Sequence, residues 1–139
     1  LANTKEGLER HPRKRILVVD DEPGIRSTLG QLLTMAGHEV LLAADGSEAT
    51  RLWRELGADL VILDIFMPEK DGIETIVELR AHSPNLPIIV MSGGDAKRMD
   101  LLPEAKLLGA YRTIDKPFTF AEMMKLVNSA LEGSRGTNT

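Results

Sequence analysis

Three short apolar runs, each broken off by a charged or hydroxyl side chain, do most to limit what this chain can fold into. Residues 16–19 end at Asp20 and Asp21, residues 60–63 end at Asp64, and residues 87–91 end at Ser92-Gly93-Gly94. A run this short, apolar without alternation, reads as a strand buried on both faces, as in a parallel sheet. Residues 40–43 read as a further strand, and residues 111–114 as a weaker last one. Helical patterns lie between them. Ile25, Leu29, Leu32 and Leu33 recur at i, i+4, i+7 and i+8, with Gly37 just past the helix end. Asp45-Gly46-Ser47 turns into a helix with Ala49, Leu52, Trp53 and Leu56 on one face, and Ile73, Ile76 and Val77 mark the next. Pro103 suits the first turn of a short helix over about residues 103–108, closed by Gly109. The last helix opens with a capping box, Thr119-x-x-Glu122, and buries Phe120, Met123, Met124, Val127 and Leu131. Trp53 and the methionines of this last face read as packing.

Five strands alternating with five helices predict an α/β fold, a doubly wound five-stranded parallel sheet. Right-handed crossovers place all strand C-termini on one edge, where such folds bind ligands. That edge would carry Asp20, Asp21, Asp64, Ser92 and Lys116. The expected boundaries are a flexible tail over 1–13, the domain over 14–131 and a C-terminal tail over 132–139. The basic end of the first tail, from Arg10 to Lys14, reads either as solvated chain or as a docking arm.

Composition fits this. A chain of 139 residues with 42% hydrophobic and 4% aromatic content has an aliphatic core and no stacking surface for single-stranded nucleic acid. The absence of cysteine excludes disulfides, thiol chemistry and thiolate metal sites. No apolar stretch approaches membrane-spanning length and residues 1–10 lack a signal-peptide core, so a cytoplasmic location is expected, with no membrane or direct nucleic-acid partner.

Carboxylates from two strand ends, if neighbours, repel by several kcal/mol at about 4 Å in a partly buried site. They must hold protons or bind a cation, and oxygen donors without His or Cys favour a hard ion such as Mg²⁺. The remaining residues suit phosphoryl transfer, whose transition state spreads charge over three equatorial oxygens. Mg²⁺ could take one, the Ser92 hydroxyl a second and the Lys116 ammonium a third, with Asp64 as nucleophile.

At residues 14–131 the chain resembles the receiver domain of two-component response regulators, of the stand-alone, chemotaxis-receiver-like type and the flavodoxin-like (βα)5 fold. The resemblance is carried by Val18-Val19-Asp20-Asp21-Glu22-Pro23, Leu63-Asp64-x-x-Met67-Pro68 with Asp71-Gly72, Met91-Ser92-Gly93 and Lys116-Pro117-Phe118. It implies that Asp64 accepts phosphate from a histidine kinase or a histidine phosphotransfer protein and switches partner binding. It implies Mg²⁺ on Asp21, Asp64 and the Phe66 carbonyl, with Asp20 acting largely through water. Ser92 becomes the switch hydroxyl, Lys116 the phosphate sensor, and Lys116–Pro117 a cis peptide. Such a module is no enzyme toward external substrates; it catalyses only its own phosphorylation and dephosphorylation. A homodimer linked to phosphorylation, through the last two helices, is a further expectation.

The chain departs from the family at three places. Thr113 stands where the family has an aromatic, leaving Tyr111 as its substitute, as a structural side chain, or with signalling through backbone loops alone. Gly93-Gly94 ahead of Pro103 predicts a loop and a shortened fourth helix, mobile without phosphate, either an adaptable output face or a tolerated variant. Phe66 is apolar where many receivers are polar, which predicts slow loss of phosphate. Other functions fit less well. A haloacid-dehalogenase-like phosphatase needs Asp-x-Asp after its first strand, and Asp20-Asp21-Glu22 would repel a nucleotide phosphate. A fragment of a larger DNA-binding regulator or hybrid kinase, or a receiver-like module that is never phosphorylated, remain alternatives to a stand-alone regulator.

Overall fold

The computed structural model describes residues 13–65, 67, 72–93 and 102–136. Its strands are β1 (Arg15–Val19), β2 (Glu39–Ala43), β3 (Leu60–Asp64), β4 (Ile88–Ser92) and β5 (Arg112–Asp115). Its helices are α1 (Pro23–Met35), α2 (Gly46–Leu56), α3 (Gly72–His82), α4 (Leu102–Leu107) and α5 (Phe120–Gly136). The strands pair in parallel in the order β2-β1-β3-β4-β5. This is the doubly wound sheet that the apolar runs predict.

Alternation along each strand divides the core in two. Leu17, Val19, Val61, Leu63, Ile88 and Val90 pack with Ala49 of α2, Ile76 and Leu79 of α3 and Ala105 of α4. Ile16, Val18, Leu60, Ile62, Ile89 and Met91 pack instead with Leu29 and Leu33 of α1 and Met123, Val127 and Leu131 of α5. Every residue of β3 and β4 is buried, which is why neither run alternates with polar side chains.

Local chemistry sets the helix starts. In α2 the Asp45 carboxylate accepts the Glu48 N–H at 2.8 Å while Glu48 takes the Ala44 N–H at 2.7 Å. The capping box of α5 closes as its spacing predicts: Thr119 Oγ1 accepts the Glu122 N–H at 3.0 Å and Glu122 accepts the Thr119 N–H at 2.7 Å. Gly109 ends α4 at φ +88°, a left-handed conformation unfavourable for any side chain.

Some boundaries differ from the sequence expectation. Val77 is 49% exposed, because the buried stripe of α3 runs through Thr75, Ile76 and Leu79. Strand β5 starts at Arg112, leaving Tyr111 before it, and α5 continues to Gly136, past the tail boundary expected at 131. The fourth helix is short, as expected, with 6 residues. Residues 1–12 and 94–101, which hold most of the segments with the docking-arm and mobile-loop expectations, lie outside the described residues. Among the described residues no helix is long and apolar enough to cross a membrane.

Candidate functional site

Because β1 and β3 are direct neighbours, the residues that end them meet at one edge of the sheet. Asp20, Asp21 and Asp64 each bring a carboxylate oxygen to within 4.8 Å of the others. Asp20 and Asp64 are buried, at 0% and 1% exposure, while Asp21 faces solvent. The turn after β1 is held in place by Asp20 itself. Its Oδ1 accepts the Glu22 N–H at 2.8 Å, and its carbonyl accepts Arg26 Nη1 at 2.7 Å. Pro23 then opens α1 at a position where a missing N–H is harmless.

Lys116 reaches this cluster from the end of β5. Its N–H donates to the Ser92 carbonyl at 2.7 Å, and its peptide bond to Pro117 is cis, as the family resemblance implies. The ammonium Nζ lies 2.8 Å from Asp20 Oδ2, 3.0 Å from Glu22 Oε1 and 3.2 Å from Asp64 Oδ2. Burial pulls the Lys116 pKa down, but the hydrogen bonds to Asp20 and Glu22 and the charges of Asp64 and Asp20 outweigh it, so the net shift is upward. The ammonium is the positive charge that lets two buried carboxylates stay close together.

Ser92 ends β4, one residue past Met91, the register partner of Asp64. It is fully buried, and its Oγ has no hydrogen-bond partner among the described residues. A buried hydroxyl without a partner carries a desolvation penalty of about 1–3 kcal/mol unless something else satisfies it. Beside these groups opens a cleft of about 1010 Å³, with Asp21, Glu22 and Lys116 at its polar end and Ile25, Leu29 and Phe118 along its apolar wall.

The structure therefore brings together Asp20, Asp21, Asp64 and Lys116, and places Ser92 on the adjoining strand. Phe66, expected to supply a carbonyl, lies outside the described residues. Glu22 joins the site as a third carboxylate on Lys116, a role the sequence signals only through the acidic run Asp20-Asp21-Glu22. Tyr111 stands just before β5, two residues ahead of Thr113. It packs with Ile114 against the α1/α5 side of the core, its hydroxyl 2.7 Å from Ser129 Oγ on α5 and its ring under the Arg112 guanidinium. That is the structural alternative.

A parallel α/β sheet whose C-terminal edge gathers three carboxylates, a lysine and an unsatisfied hydroxyl defines a small doubly wound α/β domain with its charged site at the strand ends. The response regulator receiver domain model matches residues 16–128, and the chain belongs to that family. It is a receiver module of two-component, phosphorelay signalling. It is 40% identical over 116 residues to the chemotaxis protein CheY of Thermotoga maritima, covering 83% of this chain and 95% of that one. It is 39% identical over 123 residues to the DNA-binding transcriptional regulator NtrC of a Bradyrhizobium species, covering 86% of this chain but 25% of the relative's length. Among solved structures, NtrX from Brucella abortus superposes with a TM-score of 0.85 at 32% identity, over 91% of this chain and 29% of that one. A receiver domain protein from Clostridium thermocellum gives 0.80 at 30% identity, over 87% and 96% of the two chains.

Proposed function

We propose that Asp64 is the phosphoryl acceptor of this receiver, with Asp20 and Asp21 completing a Mg²⁺ site. The observation that carries the reading is the Asp64 carboxylate itself, buried at the end of β3 with Lys116 Nζ at 3.2 Å and the unpartnered Ser92 hydroxyl on the next strand. The donor set fits the ion: three carboxylates, no nitrogen or sulfur ligand among the described residues, and one carboxylate open to solvent for waters to complete the shell. Asp20, Asp21 and Asp64 would hold it, and when bound it offsets charge on the phosphoryl oxygens.

The residues divide the remaining work. An Asp64 carboxylate oxygen attacks the phosphorus of a phosphohistidine; the P–N bond breaks, the imidazole leaves with its electron pair, and an acyl phosphate forms. Lys116 offers N–H donors to one equatorial oxygen. Ser92, with a free O–H, donates to another and so gains the partner it lacks. The acyl phosphate is later hydrolysed in the same site, and no external substrate is turned over. The phosphodonor is a histidine kinase or histidine phosphotransfer protein, and the output is a change in protein binding.

The test is intact-mass measurement after incubation with acetyl phosphate, with and without Mg²⁺. One added phosphoryl group is expected, dependent on Mg²⁺ and absent in Asp64→Ala. The same adduct in Asp64→Ala would defeat the assignment. A second reading, a receiver that forms part of a longer DNA-binding regulator, is favoured by the 25% coverage of the NtrC relative, as the stand-alone reading is by the 95% coverage of CheY. An immunoblot for the size of the native protein separates the two.

A further inference from the structure

We propose that Glu22 is a positioning residue for Lys116: a solvent-exposed carboxylate on which the ammonium parks one N–H, and which it gives up when a phosphoryl group arrives. The inference rests on Asp64 as phosphoryl acceptor and deepens that reading.

An ammonium has three donors and no more. Here three carboxylate oxygens occupy them, from Asp20 at 2.8 Å, Glu22 at 3.0 Å and Asp64 at 3.2 Å. Lys116 can bind a phosphoryl oxygen only by releasing one of the three. Asp20 and Asp64 are buried, and as the phosphoryl group approaches both are still carboxylates, with only a bound Mg²⁺ and this ammonium to offset them. The Glu22 side chain is 58% exposed, so water replaces the ammonium at little cost. The Glu22 bond is the one that yields.

A second observation comes from α1. Glu22 holds the N-cap position, where a side chain ordinarily accepts an N–H of the first turn, yet it makes no capping hydrogen bond. Its carboxylate is directed across to Lys116, 94 residues further along the chain. Its own N–H is fixed by Asp20 Oδ1 at 2.8 Å, which sets the side chain's starting point beside the site. Glu22 therefore spends its side chain on the lysine, not on the helix.

Beryllium fluoride, a mimic of the phosphoryl group, tests this in saturating Mg²⁺, with affinity read by fluorine NMR in wild type, Glu22→Gln, Lys116→Met and the double variant. Glu22→Gln weakens the parking bond, so tighter binding by about two- to fivefold is expected, the range of an exposed ion pair. Glu22→Asp, which keeps the charge, should lie nearer wild type. In the Lys116→Met background the effect of Glu22→Gln should vanish, because there is no ammonium to release. Unchanged or weaker binding in Glu22→Gln overturns the inference, as does an equal gain with and without Lys116, which would mark simple charge repulsion. If wild type itself takes up no beryllium fluoride, the underlying assignment of Asp64 fails instead.

Discussion

Replacing Gly72 by alanine should destabilise the domain, although helix propensity alone predicts a gain. Gly72 is the first residue of α3, and its N–H donates to the Ile65 carbonyl at 2.8 Å, closing the loop that follows β3. A Cβ added there would lie 2.4 Å from Ile65 Cα, 2.6 Å from Ile65 O and 2.8 Å from Ile65 C. Non-bonded carbons settle at about 3.5–4.0 Å, so the first turn of α3 must retreat by about 1 Å. The obstacle is backbone and cannot rotate away. Ile65 is fully buried and its N–H is tied to the Met91 carbonyl at 3.0 Å. Overpacking costs about 1–3 kcal/mol and loss of the Gly72 hydrogen bond about 1 more, against at most about 1 kcal/mol gained in helix propensity. A net loss of about 1–3 kcal/mol lowers the urea midpoint by about 0.5–2 M. Gly24→Ala is the control: a Cβ there meets nothing within 4 Å, so its midpoint should hold or rise. A Gly72→Ala midpoint equal to or above wild type would refute the steric argument. The same displacement reaches Asp64, the neighbour of Ile65, so the folded variant should also take phosphate from acetyl phosphate more slowly.

Two other outcomes follow from the geometry and a third, at Phe66, from the sequence. Arg80 bridges two turns, its guanidinium donating to the carbonyls of Leu108, Ser83, Pro84, Leu86 and Gly109. Arg80→Met should cost about 2–3 kcal/mol and speed hydrogen exchange at the Gly109 and Ala110 amides, which close α4; unchanged exchange there would count against the bridge. Lys116 has a pKa raised above its ordinary 10.5, so its stabilising contribution is complete below that value and is lost only as pH rises through the higher folded value. In metal-free buffer the stability difference between wild type and Lys116→Met should thus stay flat from about pH 7 to 9.5; a decline inside that window would contradict the shift. Phe66→Asn should lose phosphate severalfold faster than wild type, measured by intact mass after the phosphodonor is removed, and equal rates would discard a shielding role for the ring.

What could be read along the chain is what depends on neighbours in the chain. Strands β3 and β4 are unbroken apolar runs because helices cover both faces of the sheet, and their last residues, Asp64 and Ser92, stand out as polar ends. The capping box of α5 was visible for the same reason, since both its members lie within one turn. Strand β5 was less distinct because it is an edge strand, with Arg112 and Asp115 exposed. Val77 helps mark α3 in the sequence, yet it is exposed, because the buried stripe runs through Thr75, Ile76 and Leu79 beside it.

The residues that organise the site act at longer range. Gly72 appears in the sequence only as part of a family motif; its reason is the backbone of Ile65, and nothing short of the folded turn shows that no Cβ fits between them. Glu22 looks like one more acidic residue after a strand, and only the crossing of Lys116 from β5 gives it a partner. Tyr111 shows the reverse: its nearness to Thr113 suggested a displaced switch aromatic, yet its hydroxyl bond to Ser129 and its seat beside Ile114 tie it to α5. With no aromatic beside Thr113 from that source, a change at Ser92 has a backbone route to the end of β5, because the Ser92 carbonyl holds the Lys116 N–H at 2.7 Å. A shift of Ser92 toward a phosphoryl group would pull on the same residue whose ammonium is leaving Glu22. If Asp64, Ser92 and Lys116 act as proposed, the two movements would be coupled through Lys116, and such a switch would need no aromatic side chain to link β4 to β5.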